Sequence, residues 1–424
     1  MSARQIRTLL IAMSAALTVA IAPAPALAAQ PVPHPAISYH EWTTTAQFAR
    51  GTFAGAAAAA NAITFGTSIG QQTYSDADHP ARLYNYDTWT SPLFVPGFEL
   101  TELVSSWDAN TPAGTWLQVE MAGRTVAGTT TKWYVMGRWA AESTDIDRTS
   151  VGGQGDSDGT IAIDTFLAAK GVTLTAYRLR VTLYRLPGVT SGPTVRSLGA
   201  LASGLPNDKK VAVSPLGGAE GITLNVPRYS QDVHLGEYPQ YDGGGEAWCS
   251  PTSTEMVVEY YGKYPPPAAL AAIPYADPSV DYAAQHTYDW HYNGTGNWPF
   301  NTAYAATYGL DAFVTQLRSL TEAEKFIRAG IPLVASVSFK ANELDGAGYS
   351  TNGHIMDIVG FTSSGDVVVN DPVSPTDAGV RRVYNRAQFE NVWLPASRSG
   401  GIVYVIHDAA HPLPPNVPGL SKNW

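Results

Sequence analysis

The chain has 424 residues, of which 45% are hydrophobic, 11% aromatic and 15% charged. That apolar and aromatic content excludes a disordered chain, and the length is that of two or three domains at roughly 100–200 residues each. A single cysteine excludes an intramolecular disulfide and any cysteine-cluster metal site, and a formal charge of −10 without a long Lys/Arg run argues against nucleic acid or an anionic membrane surface.

In chain order, Arg4 and Arg7 precede an apolar stretch from Leu9 to Ile21, and Ala26-Leu27-Ala28 supplies the small residues that a signal peptidase reads. Residues 1–28 therefore read as a Sec-type signal peptide, and the mature protein is expected outside the cell. No later apolar run is long enough to span a membrane. Residues 29–40 are Pro/Ala-rich and are expected to be a frayed tail.

Residues 41–186 read as an antiparallel β-sandwich of jelly-roll type. Residues 116–121 and 177–184 alternate with period two, residues 132–139 less cleanly, and Gly/Thr/Asp-rich turns separate them. An Ala-rich patch at 54–62 is the one helical hint. Trp107, Trp116, Trp133 and Trp139 read as core rather than as a glycan platform, and Asp156-Ser157-Asp158-Gly159 as an ordinary turn rather than a Ca²⁺ loop. Residues 187–221, punctuated by Gly and Pro, read as a linker with one short strand at 196–201. Residues 222–408 have a mixed, α+β texture. A strand is expected at 222–226, a helix at 249–261, coil at 264–300 and helices near 301–308 and 321–329. Strands are expected near 331–339, 354–361, 366–370 and 402–407. Residues 409–424 form a Pro-rich tail expected to be extended.

Cys249 follows Gly243-Gly244-Gly245 and begins the helical run Ser250-Pro251-Thr252. Pro251 suits a first helical turn, Met256, Val257, Tyr260 and Tyr261 make an apolar stripe, and Gly262 suits the stop. The positive end of a helix stabilises a thiolate, so Cys249 reads as a nucleophile rather than core filling. A thiol peptidase also needs an imidazole to move the proton. Among nine histidines, His354 has the most informative setting. It opens a strand, Thr362-Ser363-Ser364-Gly365 turns the chain, and the returning strand ends at Asn370-Asp371-Pro372. Asp371 beside His354 would fix the tautomer and stabilise the imidazolium. Asp357 interrupts the apolar pattern of the same strand, with its role left open. The Cys249 N–H supplies one oxyanion donor, and Gln231 and Gln240 are both candidates for a second. The aromatic-rich stretch around Asn297 and Trp298, together with Trp248, reads as a substrate-binding wall. His286, Asp289 and His291 match no metal-ligand spacing.

These residues carry a resemblance. Val226-Pro227…Gln231, Trp248-Cys249-Ser250-Pro251, Gly353-His354 and Asn370-Asp371-Pro372 resemble the secreted relatives of the bacteriocin-processing, double-glycine-leader cysteine peptidases, which belong to the papain-like superfamily. The resemblance covers about 222–408. It implies a papain-like fold with Cys249 as nucleophile, His354 as base and acid, Asp371 as orienter and Gln231 as oxyanion donor. The expected function is secreted thiol hydrolysis of amide bonds through a thioester, with no cofactor and no metal. The expected partner is a peptide or protein substrate, cell-wall peptide included, and the expected state is a monomer. Two alternatives stand beside it: a peptidoglycan amidase or endopeptidase with the same triad, and a non-catalytic glycan- or wall-binding protein with a degenerate hydrolase domain.

Overall fold

The structure is a computed structural model and describes residues 35–424, which form one compact unit. The signal-peptide reading of residues 1–28 lies outside the described residues. The chain is sheet-rich, and every sheet is antiparallel.

The N-terminal part has two sheets. The first has seven strands: Gly159–Ala162, Thr165–Ala168, Glu102–Asn110, Thr194–Gly204, Ala62–Thr64 and Ala57–Ala59 in spatial order, with Ala36–Trp42 also on Thr194–Gly204. The second has six: Thr52–Ala54, Arg82–Thr90, Leu174–Arg185, Thr115–Thr125 and Tyr134–Trp139, with Gly70–Tyr74 on Arg82–Thr90. Leu103, Trp107 and Ala109 of the first sheet meet Trp89, Leu117, Val119, Leu179 and Val181 of the second in one buried cluster. Trp107, Trp116 and Trp139 are fully buried, as core tryptophans should be, while Trp133 is stacked by the Arg178 and Arg180 guanidiniums. The Asp156 carboxylate accepts from the Asp158 and Gly159 N–H groups and from the Tyr134 hydroxyl, which is ordinary turn chemistry.

The C-terminal part is built on a six-stranded sheet ordered Asp311–Gln316, Ile402–His407, Leu333–Phe339, Thr351–Phe361, Val367–Asn370 and Arg381–Tyr384. The helix Cys249–Tyr260 packs on Thr351–Phe361 and on the helices Pro278–Thr287 and Trp298–Thr307. Helices Leu320–Arg328 and Arg386–Trp393 lie against Leu333–Phe339. The edge strand Asp311–Gln316 meets the first N-terminal sheet, where the Val314 N–H donates to Ser106 Oγ at 2.9 Å. Among the described residues no helix is long and apolar enough to cross a membrane.

Several expectations are corrected. The stretch read as a frayed tail holds the strand Ala36–Trp42, whose Ile37 and Tyr39 are buried and reach the C-terminal core. The Ala-rich patch is a hairpin. Ala60 and Asn61 both take positive φ (50° and 57°), and the Asn61 side chain accepts from the Thr45 N–H. Asparagine tolerates that conformation, and the turn overrides the helix preference of alanine. The linker reading of 187–221 conceals the strand Thr194–Gly204, which is central to the first sheet. Its Ser/Gly/Ala-rich run is buried on both faces and so shows no alternation. The coil at 264–300 contains the helix Pro278–Thr287. The tail past 409 ends with Asn423 and Trp424 buried, Asn423 donating to the Gln316 carbonyl at 2.8 Å and Trp424 packed on Phe326.

Candidate functional site

Cys249 is the first residue of its helix, and the loop before it is tightly constrained. Gly244 has φ 112°, and a Cβ on Gly245 would sit 2.2 Å from the Gln231 carbonyl and 2.5 Å from the His234 carbonyl carbon. Only glycine lets this loop cross the 231–236 segment so closely. That contact sets the position of Gln231. Its Nε2 donates to the Glu246 carbonyl at 2.9 Å, just ahead of the cysteine, and its Oε1 is buried without a partner. Gln240, the other amide considered, is exposed and does not line the cleft.

The 231–234 turn is anchored from below by His234. Its Nδ1 lies 2.8 Å from Glu237 Oε2 and 3.3 Å from Asp281 Oδ2. Burial lowers this imidazole, but Asp281 and Glu237 outweigh burial and raise it. His234–Glu237–Asp281 and Asp76–His79–Asp147 are close enough to be metal ligands. In each cluster, however, the histidine Nδ1 is already hydrogen-bonded to a carboxylate, at 2.8 and 2.7 Å.

His354 lies on the strand Thr351–Phe361, and Asp371 directly follows Val367–Asn370. The register pairs Asp357 with Asn370, and the turn between the strands closes at Gly365, where φ is +86°. His354 Nε2 is 2.9 Å from Asp371 Oδ1. Burial pushes the Asp371 carboxyl up, but His354, Tyr384 and Arg382 outweigh it and hold it below its ordinary value. A carboxylate only accepts, so Nε2 carries a proton, and Nδ1 is the ring nitrogen that Asp371 leaves free. Burial lowers the His354 imidazole, but Asp371 and then Cys249 outweigh burial and raise it to about 10.

Sequence reasoning missed the groups around Asp371. Tyr349 donates to both oxygens at 3.1 and 3.0 Å, Tyr384 donates to Oδ2 at 2.6 Å, Arg382 Nη1 lies 3.4 Å from Oδ2, and the Val373 N–H reaches Oδ1 at 3.2 Å. The Tyr349 ring also stands edge-on to the imidazole, with centroids 5.6 Å apart. Neither Tyr349 nor Tyr384 lies in a motif, and at 22 and 13 residues from Asp371 neither carried a local signal.

Cys249, His354, Gln231, Trp298, Tyr292 and Tyr349 line one cleft of about 780 Å³. Trp248 and Asn297, expected to touch substrate, do not line it. Trp248 is fully buried, with Nε1 donating to the Tyr241 carbonyl at 2.7 Å. Asn297 caps the helix Trp298–Thr307, accepting from the Phe300 N–H at 3.1 Å and donating to Asp289 at 2.8 Å. Asp289 also accepts from the backbone of Ser150, His291 and Tyr292, so it organises a loop. Asp357 is fully buried with neither oxygen hydrogen-bonded, and burial pushes its carboxyl well up. Glu255, in the helix that Cys249 begins, is buried and accepts from Tyr304 at 2.8 Å.

Two family models match this chain: the peptidase C39 N-terminal domain over residues 38–203 and the peptidase C39-like family over residues 223–400. The chain belongs to the C39-like peptidase family. The family is one of peptidase-type hydrolases, and the cysteine helix and histidine hairpin both lie inside the second matched segment. A solved structure described as a C39-like peptidase from Bacillus anthracis is 19% identical. It covers 45% of this chain and 98% of that chain, with a TM-score of 0.30. No curated protein matches.

Proposed function

We propose that this C39-like chain is an exported papain-like cysteine peptidase working through Cys249, His354 and Asp371. The observation that carries the reading is the His354–Asp371 contact of 2.9 Å in a cleft whose facing wall holds Cys249 at a helix start. The Cys249 thiolate attacks the amide carbonyl carbon, and the oxyanion is held by the Cys249 N–H and the free hydrogen of Gln231 Nε2. His354 then gives its proton to the departing nitrogen, so the C–N bond breaks and a thioester remains. Water, deprotonated by His354, adds to that thioester; the C–S bond breaks, the acid leaves and the thiolate is restored. Asp371 keeps the imidazole in one tautomer and orientation throughout.

The test is amide hydrolysis by purified protein against Cys249→Ala, with native-state alkylation by iodoacetamide as a second readout. Hydrolysis lost in the variant and one label on Cys249 are expected. A thiol that reacts only after unfolding defeats the reading. Export is checked separately by N-terminal sequencing of protein from the medium, with the mature chain expected to start at Ala29.

A further inference from the structure

The cleft has a floor made by the N-terminal part. In the strand Glu102–Asn110, Leu103, Trp107 and Ala109 face the core shared by the two N-terminal sheets, so Glu102 and Val104 face the other way. The register carries that second face across the sheet. Val104 lies opposite Thr165 and Leu201, and Glu102 lies opposite Leu167 and Ser203. All six line the cleft that also holds Cys249 and His354. The outer face of such a sheet is ordinarily polar. Here it carries three aliphatic side chains, Val104, Leu167 and Leu201, the first and last of them buried, with two hydroxyls and one carboxylate.

The Thr165 hydroxyl on this floor donates to Asp164 at 3.0 Å, but one polar atom of the floor and one of the adjoining C-terminal strand are unsatisfied. Ser203 Oγ and Gln316 Oε1 are buried without hydrogen-bond partners, and both residues are 1% exposed. Gln316 adjoins the Ser203 strand: a Cβ on Gly400 would sit 2.8 Å from Gln316 Nε2 and 2.3 Å from Leu205. Burial alone raises the Glu102 carboxyl, with no neighbouring cation to offset it. Arg398, which also lines the cleft, is paired with Glu343 at 2.7 Å. Glu102 is half-buried, and the buried carboxylate there, Asp164, accepts from the Trp298 N–H at 2.7 Å. Buried polar atoms normally have partners, so a set of free acceptors around one unpaired carboxylate marks where a ligand's donors would go.

We propose that this floor is a substrate subsite for a primary ammonium group on an aliphatic stem. The stem lies over Val104, Leu167 and Leu201, and the ammonium donates to Glu102, Ser203 Oγ and Gln316 Oε1. Three donors on one nitrogen match the three acceptors. The inference rests on the peptidase reading and adds the substrate class: peptides with a lysine-like side chain or a free N-terminal amine.

The test uses full-length protein and fluorogenic peptides carrying lysine, acetyl-lysine or norleucine, each with a free or acetylated N-terminus. Lysine is expected to exceed norleucine in kcat/KM by about tenfold, and Glu102→Gln to collapse that ratio, as loss of a charged hydrogen bond would. Gln316→Leu, a second route should the first variant misfold, is expected to narrow the ratio as well. A preference that follows the N-terminus rather than the side chain supports the subsite and assigns it to an α-amine. Equal hydrolysis of lysine and norleucine peptides, or a ratio unmoved by both variants, overturns the subsite while leaving the peptidase reading intact. Fluorescence anisotropy with Cys249→Ala separates the two claims. Glu102-dependent binding of the lysine peptide with no hydrolysis by wild type keeps the subsite and removes the peptidase.

Discussion

The Gln231 N–H donates to the Pro372 carbonyl at 3.0 Å, which ties the segment carrying the amide to the segment carrying Asp371. Ser230 adds to the tie: its N–H donates to Asp377 at 2.8 Å and its hydroxyl donates to the Ser374 carbonyl. Gln231 Nε2 then reaches the Glu246 carbonyl, three residues before Cys249. The proposed oxyanion donor, orienter and nucleophile thus share one hydrogen-bonded frame. Replacing Cys249 with alanine changes little in that frame, and the variant is expected to fold. Its rate should fall by at least about a thousandfold, measured as initial hydrolysis of a fluorogenic peptide.

Asp371→Asn keeps the volume and removes the charge. An asparagine amide can offer its NH₂ to His354 Nε2 and favour the wrong tautomer, so kcat is expected to drop roughly 10²–10⁴-fold with KM little changed. Tyr384→Phe, which removes one donor to Asp371 Oδ2, should cost far less, about tenfold at most. Steady-state kinetics on the two variants gives the comparison; equal losses would contradict the ordering.

Stability should depend on pH through this pair. His354 is raised from 6.5 to about 10, so the native state binds its proton more tightly than the unfolded chain. Its contribution is fully present below 6.5 and is lost as pH rises from 6.5 toward 10. Asp371 is depressed, so its contribution is present above the ordinary aspartate value and is lost as acid titrates it. The difference in urea midpoint between wild type and His354→Gln is therefore expected to be largest near pH 5–6, roughly between the two ordinary values, and to shrink toward pH 10. A difference that grows with pH would reverse the sign.

Asp357 is buried without a hydrogen bond and is raised well above its ordinary value, so ionisation opposes the fold. Asp357→Asn removes that ionisation. It is expected to raise the melting temperature at pH 8 by a few degrees, roughly 1 kcal/mol, and to do little at pH 4. Calorimetry at both pH values checks it, and an equal shift at both would point to packing instead.

Gly245→Ala places a methyl against the Gln231 carbonyl and His234, both backbone-fixed neighbours. It is expected to cost about 1–3 kcal/mol of stability and to lower kcat even at temperatures where the protein stays folded. Gly243→Ala meets nothing closer than 3.5 Å but sits at φ +81°, so its smaller cost comes from backbone strain and reaches the site less.

Short-range signals made much of this readable in advance. Helix-start chemistry around Cys249 corresponds to the helix Cys249–Tyr260, and the turn at 362–365 joins strands that bring His354 and Asp371 together. These depend on periodicity and turn residues within a few positions of one another. The rest needed the packed molecule. Nothing local distinguishes Gln231 from Gln240, places Trp248 in the interior, or draws Tyr349, Tyr384 and Arg382 onto one carboxylate. Nor could the chain pattern reveal that Glu102 and Ser203, far from Cys249 in sequence, form the floor of its cleft. Which face of a strand is outermost depends on what the rest of the chain lays against it, and only the assembled core decides that.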